Sequence, residues 1–199
     1  MTDFELEIDR FDVKIEGQTV LIKDNGFSVV VDPEREVDAN IVLVTSSQHL
    51  RENQELIESI CTDSTCLIVP ADFEEEIDCL DVERTQSPES LDIFSVEIDP
   101  VTFQDVNGYR FVMGDQSFFV QGPRIYSSEL KDIGKVDTAF LYIEPDNISE
   151  IVRSGVFLKA NSIIPYGFED LKDVEADLRS LEADFTDRNL SFDISFMEN

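Results

Sequence analysis

Short runs of apolar, β-branched and aromatic residues dominate the first part of the chain and predict β-strands. The predicted strands are residues 12–16, 20–23, 28–31, 41–45 and 66–69. Asn25-Gly26 between the second and third runs is a strong signal for a two-residue hairpin turn. The run that ends at Thr45 is apolar up to its last residue, which indicates a buried strand.

The hydrophobic pattern changes period along the chain, and helix spacing alternates with further strands. The second group of predicted strands is residues 92–98, 109–113, 117–120, 136–143, 162–165 and 190–196. Helical spacing over residues 50–60, 147–158 and 171–185 predicts amphipathic helices, the last with Asp170 as a candidate N-cap. Residues 72–80 predict a short acidic helix or a turn.

Each half of the chain therefore has hairpin strands first and β-α-β units afterwards. This order favours an α+β fold in which two mixed sheets pack face to face with helices outside, an αββα four-layer sandwich. Ser87-Pro88-Glu89-Ser90 separates the halves but is too short for a domain linker. We expect residues 1–199 to form one domain.

The chain is strongly acidic: 44 Asp and Glu face 15 Lys and Arg, for a net charge of −29. A solvated surface adapted to molar salt explains this composition best, because salt screens the repulsion. A decoy that mimics nucleic acid and an ordinary acidic protein are the alternatives. No Lys/Arg cluster is present to neutralise phosphates, so direct binding to nucleic acid or an anionic membrane is disfavoured.

Three cysteines and one histidine make a poor zinc set, since no C-x-x-C is present. Reduced thiols fit a cytoplasmic protein. The N-terminus has neither a basic nor an apolar signal-peptide region, and no apolar run is long enough to span a membrane. We therefore expect a cytoplasmic location, or a place inside a viral particle or larger assembly.

Familiar catalytic motifs are missing. The sequence contains neither a phosphate-binding G-x-x-x-x-G-K-[ST] nor a G-x-G-x-x-G. His49 has no motif partner for a nucleophile–base set, and a helix-start histidine is the simpler interpretation of this residue. With 44 acids, carboxylate pairs carry no information about a glycosidase-like mechanism.

Six segments follow one another in a distinctive order. They are GQTVLIKDNGFSVVVDP (residues 17–33), VDANIVLVT (37–45), LDIFSVEID (91–99), GYRFVMGDQSFFVQGP (108–123), VDTAFLYI (136–143) and NSIIPYGFEDL (161–171). In this order they resemble the metallo-β-lactamase superfamily, and within it the relatives of ascorbate-phosphate lactonases in a haloarchaeal form. In the segment of residues 17–33, the family has a Gly-His, a Leu-Ile pair, a Gly and a final Asp-Pro at matching places.

The resemblance implies that the family's metal ligands are missing. The superfamily follows the strand ending in Thr45 with T-H-x-H-x-D-H, where this chain has T-S-S-Q-H-L-R. His49 falls on a spacer position. The residues at the former metal-site positions are Gln18, Ser46, Gln48, Leu50, Arg51, Asp99, Pro123 and Gly167. Of these, Asp99 alone is a plausible metal ligand, although a turn residue beside Pro100 is the simpler interpretation.

These positions predict a protein without catalytic residues, metal or cofactor: a pseudoenzyme. The resemblance and the charge together predict a structural or partner-binding component, with a protein partner or self-association, in a halophilic archaeon or its virus. A divergent hydrolase with a carboxylate metal site and a nucleic-acid-mimicking decoy are the alternatives. Phe118 and Phe119 point to opposite faces of a strand, so one of them is a candidate surface anchor unless both faces are covered.

Overall fold

Two seven-stranded β-sheets form the centre of the fold. The computed structural model describes residues 3–123, 129–143, 148–168, 171–187 and 191–192. In both sheets the early strands are antiparallel hairpins and the later strands are parallel, as the change of hydrophobic period predicts.

The first sheet lies in chain order from β1 to β7. Its strands are β1 (Asp3–Ile8), β2 (Phe11–Glu16), β3 (Thr19–Asp24), β4 (Phe27–Val31), β5 (Ile41–Leu43), β6 (Cys66–Pro70) and β7 (Asp81–Thr85). Strands β4 to β7 are parallel, so their carboxyl ends meet at one end of the sheet.

The second sheet also follows chain order, from β8 at one edge to β14 at the other. Its strands are β8 (Leu91–Ile93), β9 (Val96–Phe103), β10 (Val106–Met113), β11 (Gln116–Val120), β12 (Thr138–Tyr142), β13 (Ser162–Tyr166) and β14 (Ser191–Phe192). Strands β11 to β14 are parallel.

Helices cover the outer face of each sheet. They are α1 (Ser47–Glu52), α2 (Gln54–Ile60), α3 (Ile148–Leu158) and α4 (Leu171–Asp187). One apolar core lies between the two sheets. Each sheet also has a second core on its outer face, beneath its own helices, which confirms the predicted αββα arrangement. Within the described residues, no helix is long and apolar enough to cross a membrane.

The structure corrects several element boundaries. The predicted helix at 50–60 is two helices that meet at Asn53, and residues 72–80 contain turns but no helix. The predicted strand at 92–98 is two strands, with a turn at Phe94-Ser95. Strands β1 and β7 are additional. The predictions for Asp170 and residues 193–196 lie outside the described residues.

Neither Phe118 nor Phe119 is a surface anchor, because both are fully buried. Phe118 lies in the core between the sheets, with its ring centroid 5.1 Å from that of Phe11. Phe119 lies in the core beneath α3 and α4. Both faces of β11 are covered in a four-layer sandwich, so adjacent residues on that strand are both internal.

Candidate functional site

Polar residues gather where the parallel strands of the first sheet end. Asp32 follows β4 and Thr45 lies just beyond β5, its parallel neighbour. Asp32 is 2% exposed, and its carboxylate accepts hydrogen bonds from the Thr45 backbone N–H at 2.8 Å and from Thr45 Oγ1 at 2.5 Å. We call the end of the sandwich that contains these two residues the site end.

The charge state of Asp32 is set by opposing effects. Burial raises the pKa of the Asp32 carboxyl above its ordinary value of 3.8. The positive charge of the nearby His49 imidazole and the hydrogen bonds from Thr45 act in the opposite direction and lower it. Asp32 and His49 are both buried at this end of the first sheet.

His49 owes its position to the start of α1. Ser46 is the N-cap of this helix, and its hydroxyl accepts a hydrogen bond from the His49 backbone N–H at 3.1 Å. Ser47 Oγ donates to the Asp72 carboxylate at 3.0 Å, which joins the helix start to the segment after β6. At the other end of the helix, Asn53 Nδ2 donates to the His49 carbonyl at 3.1 Å.

The second sheet reaches across to the same end through Tyr109 and Asn107. Tyr109 Oη donates to the Val44 carbonyl at 2.7 Å and accepts a hydrogen bond from Asn107 Nδ2 at 3.2 Å. The Asn107 backbone N–H donates to the Thr45 carbonyl at 2.6 Å. Burial raises the pKa of Tyr109, so its hydroxyl keeps its proton and acts as a hydrogen-bond donor.

Tyr166, at the end of β13, links strand ends within the second sheet. Its hydroxyl donates to the Gln121 carbonyl, and its pKa is raised by burial and by the charge of Asp32. The next residue, Gly167, donates its backbone N–H to the Gly17 carbonyl at 3.2 Å. A Cβ at Gly167 would lie 2.4 Å from the Tyr142 ring, and φ there is +91°, so both space and conformation require glycine.

The structure brings some of the predicted former metal-site positions together. Ser46 forms an isolated bridge with Val106 of β10, and Gln18 and Gly167 lie on either side of the Gly17 contact. Pro123 follows Gly122, at which a Cβ would lie 2.2 Å from the Asn107 carbonyl oxygen. These positions belong to the site end.

The other former metal-site positions point elsewhere. Leu50 is fully buried in the core beneath the first sheet's helices, and Gln48 donates to Glu52 at the surface at 2.8 Å. Arg51 forms an exposed ion pair with Glu75 at 2.7 Å. Asp99 pairs with Arg110 at 2.6 Å.

These side chains do not fit the superfamily's metals. Ligands would have to be imidazoles and carboxylates that converge on one point. The described residues hold no group of three or more His, Cys, Asp and Glu side chains suited to a metal ion. Tyr109 and Asn107 instead make hydrogen bonds between the strand ends, so no reaction step is assigned to a metal at this site.

Sequence reasoning missed the tyrosines and Asn107. Tyr109 and Tyr166 lie within apolar strand runs, where aromatic residues predict core packing. The available signal was their position: Tyr109 follows Gly108, and Tyr166 directly precedes Gly167, one of the former metal-site positions. A tyrosine beside a former metal-site position indicates a ring whose hydroxyl lies at the site end.

Neither a protein-family model nor a curated protein matches the sequence. Solved structures do. A candidate metal-dependent hydrolase from Parabacteroides distasonis has 15% identity and a TM-score of 0.75, covering 96% of this chain and 97% of its own. Igni18, a metallo hydrolase from Ignicoccus hospitalis, has 10% identity and a TM-score of 0.71, covering 90% and 92%.

A third similar structure is the metallo-β-lactamase fold protein YhfI from Bacillus subtilis. It has 9% identity and a TM-score of 0.63, covering 87% of this chain and 86% of its own. Identities this low show a shared fold and nothing finer. The likeness to ascorbate-phosphate lactonases in a haloarchaeal form stays a prediction.

The comparisons contradict the prediction that the chain is not an enzyme. Two of these neighbours are described as hydrolases, so the fold is one in which catalysis occurs. The missing ligands were weak grounds for inactivity, because a fold supports many chemistries at differently built sites. The chain has the metallo-β-lactamase fold.

Proposed function

We propose that this chain is an assembly component that binds copies of itself at high salt, in a halophilic archaeon or one of its viruses. The observation that carries the proposal is Phe94, which is 53% exposed at the tip of the β8–β9 hairpin. The proposal concerns association and is compatible with catalysis elsewhere in the molecule.

The hairpin tip holds Phe94 in an unfavourable backbone conformation. Ile93 and Val96 are paired, so Phe94 and Ser95 form a two-residue loop, with φ of 52° and 66°. Such loops favour Asn-Gly, because left-handed backbone costs other residues roughly 1–2 kcal/mol each. Strain that keeps an aromatic ring at an exposed tip supports a role for that ring.

The surroundings of Phe94 define what it can bind. The ring packs edge-on against Phe27, with 6.2 Å between ring centroids, which leaves its outer side free. Behind the tip, the exposed side chains of Asp92 and Glu97 lie opposite each other on the two strands. The hairpin therefore presents an apolar tip followed by two carboxylates.

A groove along β1, β2 and β3 has the complementary chemistry. It has a volume of about 490 Å³, ample for a phenyl ring. Its apolar lining is Leu6 and Leu21, because Val13 is buried in the core between the sheets. Lys14 and Lys23 also line it, and Lys14 already pairs with Glu5 and Glu16. A phenyl ring that entered the groove would bring the hairpin's two carboxylates towards the two lysines. Interfaces take most of their energy from such buried aromatic anchors.

The groove also contains Glu5, Glu7 and Asp12, which would repel the carboxylates of the hairpin. Molar salt screens this repulsion, because the Debye length falls to about 3 Å at 1 M. Burial of the Phe94 ring depends less on ionic strength. Association should therefore appear as the salt concentration rises.

Tip and groove are two different surface patches. The tip joins β8 and β9 of the second sheet, whereas the groove runs along β1, β2 and β3 of the first sheet. One copy would thus offer its tip to one neighbour and its groove to another. Contacts of this head-to-tail kind build rings or filaments.

Sedimentation velocity of the wild type and two matched variants tests the proposal, in about 0.1 M and about 1 M KCl. The wild type should assemble at the higher concentration. Phe94→Asn should remain a monomer, while Ser95→Gly, which relaxes the same turn and keeps the ring, should assemble like the wild type. A monomeric wild type at both concentrations, or normal assembly of Phe94→Asn, would refute the proposal.

The second candidate is a hydrolase that uses Asp32 and His49 as an acid–base pair. The burial of an acid and an imidazole at the site end favours it, as does the fold shared with described hydrolases. Nitrophenyl esters and phosphate diesters are suitable probes, with and without added Mn²⁺. Activity that His49→Asn abolishes would support this candidate, and activity unchanged in His49→Asn would exclude it.

A further inference from the structure

Two thiols meet beside the first sheet's helical layer. Cys61 is the C-cap residue of α2, and its thiol lies beside that of Cys79. The backbone N–H of Asp78, next to Cys79, donates to the Glu58 carboxylate in the last turn of α2 at 3.1 Å. Cys79 lies shortly before β7, and its thiol also lies 3.7 Å from the Asp81 carbonyl. Both cysteines are free and partly exposed, so an oxidant in solution can reach them.

The third cysteine differs in its surroundings. Cys66 begins β6 and is fully buried in the core between the sheets. Cys61 and Cys79 instead pack against the core on the other face of the first sheet. Cys66 therefore serves as an internal control for any thiol chemistry.

We propose that Cys61 and Cys79 are an oxidation site, at which hydrogen peroxide produces a reversible intramolecular disulfide. In the first step a thiolate attacks peroxide, the O–O bond breaks, and a sulfenic acid and hydroxide form. In the second, the other thiol attacks the sulfenic sulfur, the S–S bond forms and water leaves. Each sulfur loses one electron, and the peroxide is reduced to two waters in total.

The surroundings of the two cysteines indicate which of them reacts first with peroxide. Burial, together with the neighbouring Cys79 thiol, raises the pKa of Cys61, so Cys61 stays protonated at neutral pH. The structure assigns the first attack to Cys79 and the second to Cys61. The contact between the thiols means that the second step needs only a local rearrangement.

A disulfide would fix the segment of residues 71–80 to the end of α2. This segment also holds α1, through the hydrogen bond from Ser47 to Asp72 and the ion pair between Arg51 and Glu75. Because α1 carries Ser46 and His49, oxidation would brace the helix that borders the site end. The thermal midpoint should rise on oxidation and return on reduction.

Intact-mass analysis and peptide mapping after peroxide treatment test the site. The wild type and Cys66→Ser should each lose two hydrogens and show a Cys61–Cys79 link. Cys61→Ser should trap a sulfenic acid on Cys79 that reacts with dimedone, and Cys79→Ser should give neither product at these positions. Circular dichroism of each variant verifies that it folds.

Two results would overturn the proposal. One is a disulfide that includes Cys66 in comparable yield, which would show that proximity of Cys61 and Cys79 does not select the pair. The other is no Cys61–Cys79 link in folded protein under conditions in which the urea-unfolded chain forms disulfides. In that case the contact in the folded protein would protect the thiols rather than join them.

Discussion

Asp32 is the residue that holds the carboxyl ends of β4 and β5 together at the site end. Its carboxylate receives two hydrogen bonds from Thr45, and its own backbone N–H donates to the Leu43 carbonyl at 3.0 Å. Its carbonyl accepts a hydrogen bond from Thr19 Oγ1 at 2.8 Å. One buried acid thus connects three strands, and its ionisation state affects their stability.

The pKa of Asp32 predicts a pH dependence of stability. A carboxyl whose pKa is raised on folding binds its proton more tightly in the folded state. Its stabilising contribution is therefore complete below the ordinary value of 3.8 and is lost as the pH rises through the raised pKa. Relative to Asp32→Asn, the wild type should lose unfolding free energy as the pH rises over this range.

Urea unfolding in molar KCl, repeated across pH, measures this difference. Asp99→Asn is the control, because Asp99 is partly exposed and its carboxylate pairs with Arg110. A wild-type advantage that grows with pH would show that the charge of His49 outweighs the burial of Asp32. That result would mean that folding lowers the pKa of Asp32 rather than raising it.

At the scale of elements, Gly122 sets how closely β11 can approach β10 at the site end. A Cβ there would lie 2.2 Å from the Asn107 carbonyl oxygen and 2.7 Å from Val106 Cγ1. The nearer atom belongs to the backbone of a central strand, which cannot move without disturbing its ladder. The close approach of these two strands therefore depends on glycine.

Gly122→Ala should lower the free energy of unfolding by about 1–3 kcal/mol, the usual cost of overpacking. Gly134→Ala is the comparison: its new Cβ would meet nothing within 4 Å, but φ is +84°. Gly134→Ala should lower the free energy of unfolding only by the cost of a left-handed backbone at alanine, roughly 1–2 kcal/mol. Chemical denaturation measures both losses. A smaller loss for Gly122→Ala than for Gly134→Ala would show that β10 and β11 can separate freely.

The sequence predicted the elements whose local signals agree with their environment. The Asn25-Gly26 turn and the apolar strands β5 and β6 are examples, because turn chemistry and burial act locally. The β8–β9 turn was missed because Phe94-Ser95 lacks the Asn-Gly signal of a two-residue hairpin loop and lies between runs of strand-forming residues. At the site end, tyrosine roles depend on contacts between distant segments, which no local pattern records.

Acidic residues are spread along the whole chain, and this has a thermodynamic consequence. With a net charge of −29, the folded chain repels itself in dilute buffer. The described ion pairs engage few of the 44 acids, so most of the repulsion is left for solvent ions to screen.

The thermal midpoint should therefore rise steeply between about 0.1 M and about 1 M KCl, as the Debye length falls from about 10 Å to about 3 Å. Differential scanning calorimetry at a protein concentration low enough to prevent assembly isolates this effect. A midpoint independent of salt would show that the acids are compensated within the fold, and the proposed salt-loving setting would lose its support.

Self-association through tip and groove is the central claim, and mixing two half-blocked chains tests it most directly. Phe94→Asn removes the tip and keeps the groove. Asp12→Trp fills the groove with an aromatic ring that a strand accepts well, and keeps the tip. Each variant alone should be monomeric in molar KCl.

Mixed in equal amounts in molar KCl, the two variants should form a heterodimer with one copy of each, because one intact tip and one intact groove remain. Native mass spectrometry after transfer to a volatile salt, supported by sedimentation velocity in KCl, identifies this species. Finding the heterodimer and nothing larger is the result expected. Assembly of either variant alone, or a mixture that remains monomeric, would contradict the proposed contact.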